Sequence, residues 1–428
     1  MSWTSAMRAM NVPLGLYLIL RFIPRRIALV SLSVTAACLP LYVVRWRIGP
    51  LPTTLLEVLI GITVAAYLAT LWAEKRAPHV RTPYDIPIAL LLVAGVISVL
   101  DAPDHSRALG IYRAYFLESV ACFLIGVDLL RDRRDLTTFL LIAGAGTCAM
   151  AVGQIVSFVY TVAHHTLDLS AAPSFLNTSA NADAMYFEPP VAFALAFTLF
   201  PSRPRERLVA GAALILLLTG LILSFSRASY LALAVLAVVL VLSTQSPRWR
   251  LRAVGAVAVL GLVILEIPFI NQRFSTLADS VTNRESLYRQ ALEMLSHMPI
   301  TGAGISGFPI RVAPYRPAGQ IIHLYPHDLW LTTWSELGLL GVIAFAVVFF
   351  GLLVRGLRAL PASADLFRPL LWGAVGALVL YLVHGLFDSP YWKNDLSVEF
   401  WLIAALQVVA VRSTRAPHPP KVVADEHA

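Results

Sequence analysis

The sequence predicts an all-α integral membrane protein with about twelve transmembrane helices. The hydrophobic fraction is 58% and the charged fraction is 14%, whereas soluble domains carry roughly 25% charged residues. The mean hydropathy is +0.73, and the apolar residues fall in runs of roughly 20, the length that a helix needs to cross a bilayer. We predict spans at about 26–44, 53–73, 84–100, 110–130, 136–160, 187–201, 207–224, 229–244, 252–270, 328–353, 369–387 and 397–411.

The seventh and eighth spans come from one apolar run. Leu208 to Ser243 contains a single charged residue, Arg227. A straight helix over this run would be about 54 Å long, whereas the hydrocarbon core is only roughly 30 Å thick. We therefore expect two helices that fold back at Ser224-Phe225-Ser226-Arg227.

The basic residues indicate how the spans are oriented. A net charge of +8 and a pI of 9.6 could suggest nucleic acid, but the basic residues concentrate at helix ends. About two thirds of the 33 Lys and Arg residues fall on one side, which the positive-inside rule identifies as cytoplasmic. Both termini, including a tail at 412–428, are predicted to be cytoplasmic.

The whole chain, 1–428, is predicted to form one polytopic membrane domain with a long outer loop at 271–327. Long loops are usually functional or disordered, and the aromatic, Gly and Pro content of this one favours order. Thr282-Asn283-Arg284-Glu285 matches a capping box. We expect it to open a short helix that continues to about Met298.

Two arginines are candidates for binding an anion. Arg227 lies alone in a tight turn, where its charge is costly unless it reaches water, lipid headgroups or an anion. Snorkelling to lipid phosphate is the alternative, but Ser226 and its neighbouring serines add hydroxyl donors. In the outer loop, Arg289 has Glu285 four residues before it and is expected in a salt-bridge ladder. Arg284 is then the loop arginine that is free to bind a ligand.

Four further residues could carry chemistry. His327, at the mouth of the tenth span, could act as a general base near neutral pH, although a lone interfacial histidine is often only a polar residue. Asp328 is expected to cap the following helix. Glu336 is a carboxylate within the apolar region, so it is a functional candidate unless an internal partner such as an arginine satisfies it. Glu188, at the outer end of the predicted sixth span, also suits a helix start.

Neither a cofactor nor a metal ion is expected. Gly302-Ala-Gly304-Ile-Ser-Gly307 matches a dinucleotide fingerprint by letter, but it follows no predicted strand and lies outside the cytoplasm. His164 and His165 are adjacent, yet no compact set of further ligands accompanies them. Nucleic acid is likewise not an expected partner.

Four short motifs follow one another along the chain. They are Leu223-Ser-Phe-Ser-Arg227-Ala-Ser, Arg284-x-x-Leu-Tyr-x-x-Ala-Leu, Met298-Pro-Ile-Thr-Gly302-Ala-Gly304 and His327-Asp-Leu-Trp-Leu-x-x-x-x-Glu336-Leu-Gly338-Leu-Leu-Gly341. Together and in this order they resemble the O-antigen ligase and O-antigen polymerase family. The informative similarity covers about 187–345 and includes the long outer loop.

This resemblance implies a C-type glycosyltransferase fold in a bacterial inner membrane. It also implies a metal-independent enzyme of lipopolysaccharide or other polysaccharide biosynthesis, whose donor is a glycan on undecaprenyl diphosphate. The acceptor would be a glycan or the lipid A core on the periplasmic side. The family's two arginines and its histidine fall on Arg227, Arg284 and His327, whereas its usual Asn after the histidine is Asp328 here.

Two questions stay open at this point. The Phe187-Glu188-Pro189 element is closer to polymerase-type members, so the sequence does not separate ligase from polymerase. A twelve-span polysaccharide transporter or lipid flippase is the alternative class of function. It would move its substrate without forming a new glycosidic bond.

Overall fold

The computed structural model describes residues 14–49, 51–168, 172–177, 179–243, 251, 255 and 277–415. The predicted ninth span at 252–270 and the tail beyond 415 lie almost wholly outside these residues. Within the described part the chain is mostly helical, with one antiparallel pair of strands, β1 (Arg45–Ile48) and β2 (Leu51–Thr54), in which Arg45 faces Thr54.

The helices are numbered in chain order over the described residues. They are α1 (Leu14–Ala37), α2 (Leu55–Glu74), α3 (Asp85–Asp101), α4 (His105–Leu129), α5 (Arg133–Ala163), α6 (Ala180–Leu199), α7 (Pro204–Ile222), α8 (Arg227–Ser243), α9 (Leu277–His297), α10 (Leu329–Ala359), α11 (Phe367–His384) and α12 (Asn394–Arg415).

Six of the described helices are long and apolar enough to cross a membrane, namely α2, α4, α5, α10, α11 and α12. Helix α8 is apolar but shorter. The prediction of an all-α membrane protein is confirmed in this form, whereas the count of twelve spans stays a prediction. The predicted break of this apolar run into two helices is confirmed, because α7 ends at Ile222 and α8 begins at Arg227.

Helix α12 lies at the centre of the bundle. Its apolar part is 89% buried inside the protein, against 28% for α2. It packs on α4, α10 and α11, while α11 packs on α6 and α8. The connection between α11 and α12 therefore emerges in the middle of one end of the bundle, where several other elements can reach it.

Two predicted helix starts are wrong. Helix α6 begins at Ala180, with the Ser179 side chain accepting a hydrogen bond from the Ala182 amide at 3.2 Å. Its first turns are small and polar, so hydropathy did not place them in a span, yet they are buried against other helices. Glu188 consequently lies in the middle of α6 and not at its outer end.

The described helix of the outer loop, α9, starts at Leu277, five residues before the predicted capping box. Thr282 is therefore inside the helix and does not open it. The residues before the box, Leu-Ala-Asp-Ser-Val, contain no Gly or Pro to stop a helix. The predicted end near Met298 is confirmed, because α9 stops at His297.

Helix α10 is broken at Gly338, and the chain that follows α9 inserts there. Gly338 has φ 68° and ψ −173°. The Leu339 amide donates to the Ile300 carbonyl at 2.9 Å, and the Ala303 amide donates to the Ser335 carbonyl at 2.5 Å. A Cβ atom at Gly338 would lie 2.2 Å from the Ile300 oxygen. The close approach and the positive φ both require glycine.

Candidate functional site

The centre of the candidate site is a histidine–aspartate pair that joins the mouth of α10 to the α11–α12 connection. The Nδ1 atom of His327 lies 3.1 Å from Oδ1 of Asp388. The side chain of His327 is 35% exposed and that of Asp388 is 17% exposed. The imidazole can therefore meet a ligand from solvent, while the carboxylate behind it is largely enclosed.

A chain of hydrogen bonds continues from Asp388 to the turn before Arg227. The amide nitrogen of Asn181, on α6, donates to the second carboxylate oxygen of Asp388. The Ser226 hydroxyl donates to Oδ1 of Asn181 at 2.6 Å. Two regions that the sequence singled out separately, around Arg227 and around His327, are thus connected through Asn181 and Asp388.

The electrostatics of the pair keep Asp388 ionised. Burial alone would raise the pKa of Asp388, but the hydrogen bond and charge of His327, the charge of His384 and the Ser389 amide together hold it below its ordinary value. A carboxylate that accepts at Nδ1 fixes the ring orientation and favours the tautomer with its proton on Nδ1. The Nε2 atom of neutral His327 then carries the lone pair.

Helix α9 is held over this pair by a tyrosine. The hydroxyl of Tyr288 lies 3.2 Å from the His327 carbonyl oxygen and 2.6 Å from that of Leu386. His327 itself has φ 57°, a left-handed conformation that costs free energy in a non-glycine residue. The tyrosine contacts both sides of the histidine–aspartate pair and so fixes where the loop helix sits.

Arg284 lies one turn before Tyr288 on α9 and has unused hydrogen-bonding capacity. Its Nη1 atom is buried and has no hydrogen-bond partner within the described residues. Its positive charge acts on Tyr288, His323 and His384. An enclosed guanidinium nitrogen without an acceptor is a suitable donor to an anionic ligand.

Arg289 differs from Arg284 as the helix spacing predicted. It forms a 2.8 Å salt bridge to Glu285, four residues earlier, with both side chains strongly exposed at 75% and 67%. The predicted pairing is confirmed. This arginine faces solvent and is already matched in charge.

Arg227 is half-buried as the first residue of α8, directly after the turn. The serines around it are buried, and Phe225 takes a positive φ of 53°, which closes the turn. The Ser229 hydroxyl lies 3.4 Å from Nδ1 of His384. The turn thus contacts α11 through Ser229 and α6 through Ser226.

Glu188 belongs to a second buried histidine–carboxylate pair beside the first. Its Oε1 atom lies 2.6 Å from Nδ1 of His384, and the two side chains are 2% and 0% exposed. The amide of Asp388 donates to the His384 carbonyl at 3.0 Å, so one turn of chain carries a member of each pair. Because its side chain is buried, Glu188 is closed off from contact with a large soluble substrate.

Glu336 has a different role from the one its position suggested. Its partner is not an arginine: Oε2 accepts the Ser306 amide, in the glycine-rich stretch after α9. Its own carbonyl accepts the Ser98 hydroxyl. It stands nine residues beyond His327, about 13 Å along a helix. The structure uses Glu336 to anchor the outer loop to α10 and does not bring it to the His327–Asp388 pair.

His323 completes the surroundings of the exposed imidazole. Its ring packs edge-on against that of His327, with centroids 5.3 Å apart. Burial, followed by the positive charges of His327 and Arg284, lowers the pKa of His323. A neutral His323 presents a hydrogen-bond donor or acceptor next to His327, which suits a hydroxyl-rich ligand.

Sequence reasoning missed Asn181, His384 and Asp388. Asn181 and Asp388 lie outside or at the edge of the predicted spans, and each gave only the weak signal of one polar residue near an apolar run. Among the described residues, no group of three or more His, Cys, Asp or Glu side chains is arranged to hold a metal ion.

Comparison with known families gives one match. Residues 212–346 match the family model described as O-antigen ligase. This region of the chain is therefore similar to the O-antigen ligase family. The predicted resemblance is thereby confirmed, and it supports an O-antigen ligase or polymerase type of function. No curated protein sequence matches the chain.

The O-antigen ligase region contains part of the site only. Arg227, Arg284 and His327 fall within the matched residues, as does Glu336. Asn181, Asp388 and the Glu188–His384 pair lie before or after them. The contacts of His327 and Ser226 therefore join the family region to the rest of the bundle.

Proposed function

We propose that this protein transfers a saccharide from undecaprenyl diphosphate to a sugar hydroxyl of an acceptor at the periplasmic face of the inner membrane. The O-antigen ligase match supports ligase or polymerase chemistry in general. The observation that supports the specific proposal is the hydrogen-bonded chain His327–Asp388–Asn181–Ser226, which connects His327 to the turn before Arg227.

In the proposed reaction, His327 is the general base. Its Nε2 atom takes the proton of the acceptor hydroxyl as that oxygen attacks the anomeric carbon of the donor sugar. Asp388 accepts from Nδ1, orients the ring and stabilises the imidazolium that forms. This division of roles between histidine and carboxylate follows the general logic of catalytic His–Asp pairs.

The bond between the anomeric carbon and the diphosphate oxygen breaks in the same step. The electron pair leaves with the diphosphate, whose added negative charge requires stabilisation. Arg284, with its unpartnered Nη1, and Arg227, at the turn, are the proposed binding residues, since guanidinium groups make charge-assisted contacts to phosphate. With two arginines in this role, the proposed step requires no metal ion.

The remaining candidate residues support this arrangement in the proposal. Glu188 holds His384 beneath the site, Ser226 holds Asn181, and Glu336 holds the outer loop on α10. The acceptor would approach over His323 and His327 from solvent, while the lipid of the donor would stay in the bilayer. The twelve-span topology with cytoplasmic termini belongs to the same proposal.

The test of the reaction class uses purified full-length protein with a synthetic glycan on undecaprenyl diphosphate and a soluble sugar acceptor. A new glycosidic bond, detected by mass spectrometry without ATP or added metal, is the expected result. The same protein in liposomes, with the donor in one leaflet, tests the alternative. Movement of intact donor across the bilayer without a new bond would support a transporter or flippase and contradict the proposal.

A further inference from the structure

A basic cavity lies at the opposite end of the bundle from His327. Arg355 lies 17 residues beyond the break at Gly338 on α10, which is about 25 Å along a helix at 1.5 Å per residue. Two adjoining cavities, of about 330 and 550 Å³, open there. Together they are lined by the chain before α3, the end of α4 with the connection that follows it, and the ends of α10 and α12.

The first cavity combines basic, polar and apolar walls. Its lining residues are Arg81, Thr82, Pro83, Tyr84, Leu352, Arg355, Gln407, Val408, Val411 and Arg412. Arg81 and Arg412 also line the second cavity, so the two cavities adjoin. Guanidinium groups beside aliphatic side chains complement the two parts of a phospholipid: the arginines can bind its phosphate, and the aliphatic side chains can pack against its hydrocarbon.

Three arginines of the first cavity lack a carboxylate partner. Over the described ranges, Arg81, Arg355 and Arg412 form no salt bridge within 4.0 Å. Arg131, on the second cavity, pairs with Asp128. The other acid near Arg412 is Asp85, whose Oδ1 already accepts the Thr82 amide at 2.8 Å. The first cavity therefore has an excess of positive charge.

The arginines are held in place by contacts other than ion pairs. The guanidinium of Arg355 stacks over the ring of Tyr84, with its central carbon 5.8 Å from the ring centroid. Arg412 donates a hydrogen bond to the Arg81 carbonyl. These contacts hold the guanidinium groups of Arg355 and Arg412 in place before any ligand binds. An anionic ligand would therefore lose little free energy in ordering them.

A buried acceptor on the cavity wall gives independent evidence for a ligand. Gln407 is 1% exposed; its Nε2 atom donates to the Leu352 carbonyl, and its Oε1 atom has no partner in the part of the chain that the structure describes. A buried amide oxygen without a donor costs about 1–3 kcal/mol. A hydroxyl group on the ligand would satisfy it.

We propose that this cavity binds an anionic phospholipid with a hydroxylated headgroup, of the phosphatidylglycerol class. The phosphate would contact Arg355 and Arg412, a headgroup hydroxyl would donate to Gln407, and the start of an acyl chain would lie along Val408 and Val411. Basic pockets between transmembrane helices bind anionic lipid headgroups in this way. The site is separate from the proposed glycan-transfer site and does not depend on that function.

The test compares purified, delipidated protein in detergent with added phosphatidylglycerol or phosphatidylcholine. Thermal unfolding and native mass spectrometry report stabilisation and bound lipid. We expect phosphatidylglycerol to bind at least tenfold more tightly than phosphatidylcholine. Arg355→Gln and Arg412→Gln should abolish this preference, whereas Arg358→Gln, with the same change of charge one turn further along α10, should keep it.

Several results would overturn the proposal. Equal binding of the two lipids would show that no anionic headgroup is recognised. Loss of the preference in Arg358→Gln as well would show that the preference depends only on general surface charge. Stabilisation by soluble glycerol phosphate at the same concentration as the lipid would assign the cavity to a free phosphate compound. If Arg355→Gln or Arg412→Gln unfolds, the other of the two variants provides the test, and unchanged preference there contradicts the proposal.

Discussion

The Nδ1 atom of His327 lies 3.1 Å from Oδ1 of Asp388, across 61 residues of sequence. Asp388 is enclosed and ionised, and it also accepts from Asn181, so the imidazole is held from behind by a fixed carboxylate. Through this contact, His327 at the mouth of α10 is connected to the segment between the buried helices α11 and α12. It makes Asp388 a positioning residue for His327.

The first prediction concerns Asp388→Asn. The asparagine keeps the shape of the side chain but loses the charge that favours the Nδ1–H tautomer of His327. We expect kcat for glycan transfer to fall by at least about tenfold, which is the lower end of the losses seen when the partner of a functional histidine is removed. The KM for the donor should change little. Steady-state kinetics on the purified protein measure both constants.

The control for Asp388→Asn is Asp104→Asn, an exposed aspartate that caps α4. Asparagine caps helices as well as aspartate does, so this variant should keep wild-type kinetics. An Asp388→Asn protein with normal kcat and raised KM would contradict the positioning role, because the carboxylate would then act in binding alone.

The second prediction separates the two arginines of α9. Arg284→Ala should lower kcat/KM for the diphosphate-linked donor by about 10- to 100-fold, because a hydrogen bond to a charged group contributes roughly 1.5–3 kcal/mol. Arg289→Ala removes only an exposed ion pair worth about 0.3–0.5 kcal/mol of stability and should leave kcat/KM unchanged. Equal losses in the two variants would contradict the assignment of Arg284 to the ligand.

The third prediction concerns the break in α10. Gly338→Ala places a Cβ atom 2.2 Å from the Ile300 oxygen at a positive φ, so we expect destabilisation of more than about 2 kcal/mol. Gly110→Ala, where a Cβ atom in α4 meets nothing within 4 Å, should be neutral or stabilising. Thermal unfolding in detergent compares the two, and an unchanged midpoint for Gly338→Ala would contradict the inserted-loop geometry.

The fourth prediction is a pH dependence of stability. The pKa of Asp388 is lower in the folded protein than in the unfolded chain, so its ionised form stabilises the fold above the ordinary carboxyl range near pH 4. This contribution is lost as the pH falls below that range. The difference in unfolding midpoint between wild type and Asp388→Asn should therefore be fully present at about pH 5 and shrink at lower pH. A difference that grew as the pH fell below about 5 would show the opposite sign.

Local features of the sequence predicted much of this structure. The length of the 208–243 run required a helix break at Arg227, the position of Asp328 before α10 indicated an N-cap, and helix spacing separated Arg289 from Arg284. Asp328 does accept the amides of Trp330 and Leu331, at 2.9 and 2.7 Å. Each of these depends on residues close in sequence, where geometry follows from helix dimensions alone.

Longer-range contacts could not be predicted in the same way. The hydrogen bonds Asn181–Asp388 and Glu188–His384 join residues 207 and 196 positions apart, and they depend on how α6 packs on α11. The position of Glu336 in an apolar segment predicts a functional role, because a carboxylate there needs a partner. Its partner is a backbone amide from the outer loop, which carries no residue-specific signal.

The central claim, that His327 is the base for glycan transfer, is tested most directly by comparing His327→Ala with the exposed His164→Ala in the purified transfer assay. We predict that the kcat of His327→Ala is at least about 100-fold lower than that of the wild type, the smallest effect expected for removal of a general base. This variant should still bind the donor, and His164→Ala should keep full activity. Product formation by His327→Ala at the wild-type rate, at equal amounts of folded protein, would contradict the account.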